Sequence, residues 1–138
     1  MDIAEFEEIL RSGESSTVEF KRCGGNPEHD TYETVCSFAN HAEGTIFLGV
    51  KDDGTVVGVP EKSTLSIERN IANVTGQPQS FSPTLVVEPE HFQYEGKTVI
   101  RIWVPPTSSV FRYKGQVWDR VADADRRIDG EMQITQMY

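Results

Sequence analysis

The chain has 138 residues, the size of one domain, and its 37% apolar and 25% charged residues suit a globular protein that buries a core without disulfides or a structural metal. Twenty-two acidic against thirteen basic side chains leave a net charge of −9. That argues against nucleic-acid binding spread over the whole surface, which needs Lys and Arg to neutralise phosphates. Two cysteines, Cys23 and Cys36, make neither a disulfide framework nor a zinc site. No segment reads as a signal peptide or a membrane span, so a cytoplasmic location without membrane contact is expected.

Residues 2–11, "DIAEFEEILR", predict a helix, with Ile3, Phe6, Ile9 and Leu10 on one side and Gly13 as the stop. Residues 17–22 alternate as a short strand, and "CGGNPEHD" is a Gly- and Pro-rich loop. Asp30 and Glu33 resemble a capping box for a helix over about 31–41, buried through Tyr32, Val35, Cys36 and Ala39. "TIFLGV", 45–50, is a nearly continuous apolar run, expected to be a strand covered on both faces. Asp53-Gly54 signals a hairpin turn, with "TVVGV" returning antiparallel and Pro60 stopping it.

A second amphipathic helix is expected over 64–75, with Ile67, Ile71 and Val74 inside. "TLVVE" predicts a strand, and "HFQYEGKTVIRIWV" a hairpin that turns at Glu95-Gly96. In its second half Ile100, Ile102 and Val104 face one way and Val99, Arg101 and Trp103 the other. "FRYKGQVWDRV" reads as another short hairpin, and the polar tail from about 123 as a short helix. The fold class is therefore mixed α/β (α+β): a mostly antiparallel sheet with two or three packed helices, in one domain spanning 1–138.

Two groups of residues stand out chemically. In "GESSTVEFKR" Glu19 and Lys21 share one face of a strand, with Glu14 just upstream. Residues 112–127 hold five cations, Arg112, Lys114, Arg120, Arg126 and Arg127, against three acids, so a mildly basic segment sits in an acidic chain. His29, His41 and His91 have no metal-ligand spacing, and "GTIFLGVKDDG" lacks the Gly-Lys-Ser/Thr ending of a phosphate loop. Asn40 either bonds the loop to Gly44 or lines a site, the structural role being favoured. Gly44 and Gly49 serve backbone geometry and close packing. Trp103 and Trp118 are expected in core or interface.

Three pieces in this order, "GESSTVEFKR", "VCSFANHAEGTIFLGVKDDGTVVGV" and "VIRIWVPPTSS" followed by "YKGQVWDRV", resemble the Schlafen AlbA-like domain, also described as a DNA-binding or divergent AAA domain. The resemblance spans about residues 10–128 and includes no winged helix. It implies a nucleic-acid-binding or transcription-regulatory module, with DNA or RNA as partner; the chain is read as self-associating, as a homodimer. It implies as the alternative a ribonuclease, because some animal Schlafens cut tRNA and rRNA with three carboxylates. Here the matching residues are Glu14 and Glu19, from an E-x4-E motif, and Asp52, with Asp53 as the substitute. These would hold Mg²⁺ or Mn²⁺, with Lys21 steadying the charge that grows on the phosphate; without that activity no cofactor is expected. A third reading is a non-catalytic interaction domain that pairs through its strand edges. There Glu14 flanks a turn, Glu19 pairs with Lys21, and Asp52 ends a polar hairpin. The chain departs from the family pattern at Arg120-Val121-Ala122-Asp123, where Arg-Val-Gly-Ser is usual, and lacks a proline near Val110.

Overall fold

The computed structural model describes residues 1–130 together with 134 and 137. Up to Gly130 three α-helices, α1 (Ile3–Ser12), α2 (His29–His41) and α3 (Thr64–Thr75), accompany eight strands. These are β1 (Val18–Lys21), β2 (Gly44–Leu48), β3 (Phe81–Ser82), β4 (Glu90–Tyr94), β5 (Lys97–Val104), β6 (Arg112–Tyr113), β7 (Gln116–Val121) and β8 (Ala124–Ile128). They form two four-stranded sheets, ordered β1-β2-β5-β4 and β3-β6-β7-β8. Every pairing is antiparallel except β1 with β2. That parallel pair is joined through α2, so β1-α2-β2 is a βαβ unit set into an otherwise antiparallel fold.

The first sheet is buried on both faces. Phe20, Phe47 and Val99 point to α1 and meet Phe6 there. Ile46, Leu48, Ile100, Ile102 and Val104 point the other way, onto α2, α3 and the second sheet. This is the covering on both faces that the apolar run at 45–50 predicts. Gly44 is needed because a Cβ there would run into the Phe38 ring. Gly49 has φ +100, and a Cβ there would lie 2.9 Å from the Gly58 backbone, so the loop after β2 folds flat against residues 57–59.

Several expectations change. Residues 55–59 return alongside residue 50, but only through single bridges, Val50 with Val56 and Val59 with Thr98. "TLVVE" forms no strand, although its alternation survives as buried Leu85 and Val87 around an exposed Val86. Asp30 does not cap α2, which starts at His29; its carboxylate meets Lys21 instead. The polar stretch after 123 is strand β8 up to Ile128, paired to β7 around Ala122-Asp123; most residues beyond Gly130 lie outside the described set.

Asn40, at the end of α2, fastens the second sheet to the helix. Its amide donates to the carbonyls of Phe111 (2.9 Å) and Trp118 (2.7 Å), and its oxygen accepts the Phe111 N–H (2.6 Å). The role is structural, as favoured, but it reaches across to the second sheet and not along the loop to Gly44. Removing the amide would take a partner from three backbone groups in a half-buried place, leaving the Phe111 carbonyl only the weak Cys36 thiol donor. Asn40→Ala is expected to lower unfolding free energy by about 2–4 kcal/mol, read from urea denaturation.

Candidate functional site

Register explains the environment of the E-x4-E motif. Glu19 lies opposite Ile46 and Lys21 opposite Leu48, so both share the face that α2 and the second sheet cover. A strand's alternation shows that two residues share a face, not whether that face is wet. Here it is largely dry, with Glu19 at 12% and Lys21 at 12% side-chain exposure. The two do not pair with each other. Lys21 Nζ lies 3.3 Å from Asp30, and Glu19 is held by Arg120.

Arg120 is the correction that matters most. The basic segment places it among the expected phosphate contacts, but its side chain is completely buried. Nη1 donates to Glu19 Oε1 at 3.0 Å and to Asp125 Oδ1 at 2.8 Å; Nη2 donates to the Ser15 carbonyl at 2.9 Å. The guanidinium carbon stands 4.8 Å from the centre of the Phe38 ring, a cation–π contact. Only Nε lacks a partner. The residue joins β1, α2, β7 and β8 and has nothing left for a phosphate.

Glu14 is similarly occupied. Its Oε2 accepts the Phe20 N–H at 3.0 Å, capping the outer edge of β1, and its carboxyl faces that of Glu19. Burial, with the Glu14 carboxyl facing it, pushes Glu19 up to about 8 against the opposing pull of Lys21 and Arg120. The shift favours the protonated form of Glu19 well above the pH at which an ordinary glutamate ionises. One oxygen accepts from Arg120, and the protonated one can donate to Glu14.

Glu19 and Lys21 form one wall of an open cleft of about 1030 Å³ at the C-terminal ends of β1 and β2. Lys51, Asp52 and Asp53 line it too, with Arg22, Glu28 and Asp30. The fold thus brings Glu19, Lys21 and Asp52 to one hollow across more than thirty residues, while Glu14 lies outside it, behind Glu19. Mg²⁺ or Mn²⁺ bound by Glu14, Glu19 and Asp52 does not fit this arrangement. Among the described residues no three Asp, Glu, His or Cys side chains stand close enough to hold one ion.

The remaining cations of the basic segment are dispersed. Arg112 lies by a shallow hollow with Ser82 and Ser109, and Lys114 beside His29 and Tyr113. Arg126 and Arg127 alternate to opposite faces of β8, and Arg127 pairs with Asp129 at 2.9 Å. Trp118 packs against the core, and Trp103 is 43% exposed. Cys23 and Cys36 are free thiols that burial pushes up, to about 11 and about 12. No described helix is long and apolar enough to cross a membrane.

The Schlafen, AlbA_2 family matches residues 14–129, from the first glutamate of the motif to just past β8. The chain belongs to that family. Among solved structures, the Schlafen-type fold is shared with the DIP2311 protein of Corynebacterium diphtheriae (TM-score 0.65, 21% identity). The match covers 92% of this chain but 26% of that protein, so the chain spans about a quarter of its length. The solution structure of the N-terminal domain of an ATP-dependent DNA helicase RecG-related protein from Nitrosomonas europaea is also similar (TM-score 0.58, 24% identity, 91% and 92% of the two chains). No curated protein matches.

Two measurements check this network. Glu19 in the folded domain holds a proton that the unfolded chain releases near 4.5. Between that pH and about 8 the folded state binds more protons, so stability falls as pH rises. Thermal melts from about pH 5 to about pH 8 should show this decline, and Glu19→Gln should flatten it. Arg120→Met should cost about 3–5 kcal/mol, because Asp125 is left buried without its cation; equilibrium denaturation at neutral pH reads the loss.

Proposed function

We infer that this Schlafen AlbA-type domain is a nucleic-acid-binding module of the regulatory kind, and that its motif acids hold the fold instead of cutting a phosphodiester. The observation that carries this reading is the commitment of both motif glutamates inside the protein. Glu14 caps a strand edge and Glu19 is tied to Arg120. Family membership supports the binding role, as does likeness to the N-terminal domain of a helicase-related protein. Both DNA and RNA suit as partners.

With Arg120 buried, phosphate contacts fall to Lys114, Arg126 and Arg127, which are exposed, and to half-buried Arg112, all on the second sheet. They are few, and the chain carries a net charge of −9, so the footprint is small and salt-sensitive.

Fluorescence anisotropy with labelled duplex DNA and single-stranded RNA tests this. On duplex, the log–log dependence of affinity on salt should have a slope of about −0.9 per phosphate neutralised. Arg126→Ala with Arg127→Ala should weaken binding about equally for all sequences and flatten that slope, at unchanged melting temperature. Absence of binding to either probe at low salt would leave the interaction-domain reading. RNA cleavage that requires Mg²⁺ and is lost in Glu19→Gln would replace the module with a nuclease.

A further inference from the structure

The two edges of the first sheet are finished differently. A strand edge presents a row of backbone N–H and C=O groups that will pair with another strand unless blocked. On β1 the blocking is explicit. The Phe20 N–H goes to Glu14, and the Val18 carbonyl takes the Ser15 N–H at 3.0 Å with Arg120 Nη2 at 3.5 Å. On β4 there is no counterpart. The two-residue turn at Glu95-Gly96, with φ 48 and 77, joins Tyr94 directly to Lys97. The ladder bonds to β5 therefore run through Tyr94, Phe92 and Glu90, and the N–H and C=O groups of His91 and Gln93 face outward. Among the described residues nothing bonds them. In the second sheet, β3 has two residues and stops at Pro83, and β8, which ends at Ile128, carries the charged side chains of Arg126 and Arg127, of the kind that blunt an edge.

We propose that β4 is the interface for a second copy of this chain, which adds its own β4 antiparallel across a two-fold axis at Phe92 and makes one continuous eight-stranded sheet. A second copy fits because the strand is complementary to itself. In that register Phe92 meets the partner's Phe92, His91 meets the partner's Gln93, and Glu90 meets the partner's Tyr94, so no like charges face each other. Moving the axis to His91 would set Gln93 against the partner's Pro89, which has no N–H; moving it to Gln93 would pull in the turn. Only the axis at Phe92 uses all five residues of β4. The apolar side agrees. Phe92 and Tyr94 stand 4.9 and 5.2 Å from Phe6 between ring centres, yet both remain half-buried, because the aromatic cluster ends at this edge. A second β4 would cover them.

The test needs no nucleic acid, so its failure is separate from failure of the binding proposal. Sedimentation equilibrium of the whole chain, from micromolar to near-millimolar concentration, should show a reversible monomer–dimer equilibrium. His91→Pro removes an N–H that β5 does not use, together with an exposed contact to Glu68. It should leave the melting transition nearly unchanged and abolish the dimer. Amide exchange by NMR gives a readout that does not depend on the variant folding: His91 and Gln93 should gain protection as concentration rises. A chain that stays monomeric throughout would overturn the proposal. So would a dimer in which those two amides exchange freely.

Discussion

A buried guanidinium cannot be left half satisfied, and the architecture around Arg120 follows from that requirement. Removing an arginine from water is costly unless nearly all its donors are met and its charge is balanced. Asp125 supplies the balancing charge, and Glu19 and the Ser15 carbonyl complete the donors on both terminal nitrogens. The Phe38 ring lies beneath. These partners come from the loop before β1, from β1, from α2 and from β8, so the two sheets reach their relative position only when the set closes. Thr34 of α2, whose hydroxyl donates to Asp125, ties the helix into the same set.

That requirement constrains the chemistry available to the motif glutamates. A carboxyl group that must accept from an internal arginine or cap a strand edge is not free to change partners during a reaction. The raised pKa of Glu19 follows from its burial and from the Glu14 carboxyl facing it, and a proton relieves the repulsion between the two acids. The cleft beside it keeps Lys21, Lys51, Asp52 and Asp53 at its walls. It is a mixed-charge hollow beside an acid whose pKa burial raises.

Periodicity made much of this fold legible. The helix over 64–75 matches α3, and the central apolar run and the Glu95-Gly96 hairpin are where alternation places them. β8 was not legible, because "ADRRI" offers almost no apolar signal and owes its strand state to pairing with β7. The burial of Glu19 was hidden for a different reason. Alternation assigns faces, but only the crossover of α2 shows that both faces of β1 are covered. Arg120 was misread because a basic residue in a polar strand looks like a surface cation. A signal was present in principle: a two-residue turn at Ala122-Asp123 sets Asp125 directly opposite Arg120, at the same parity as Trp118.

The cap on β1 has a consequence for synthesis. Glu14 and Ser15 precede the strand they protect, but Arg120 lies a hundred residues downstream. A nascent chain that has emerged as far as β5 can already form the first sheet, while the Val18 carbonyl and Glu19 both lack their bond from Arg120. Until β7 emerges, that sheet edge is only partly closed and open to wrong pairing. The bonds from Arg120 that complete the closure of this edge therefore form only after β7 has been made.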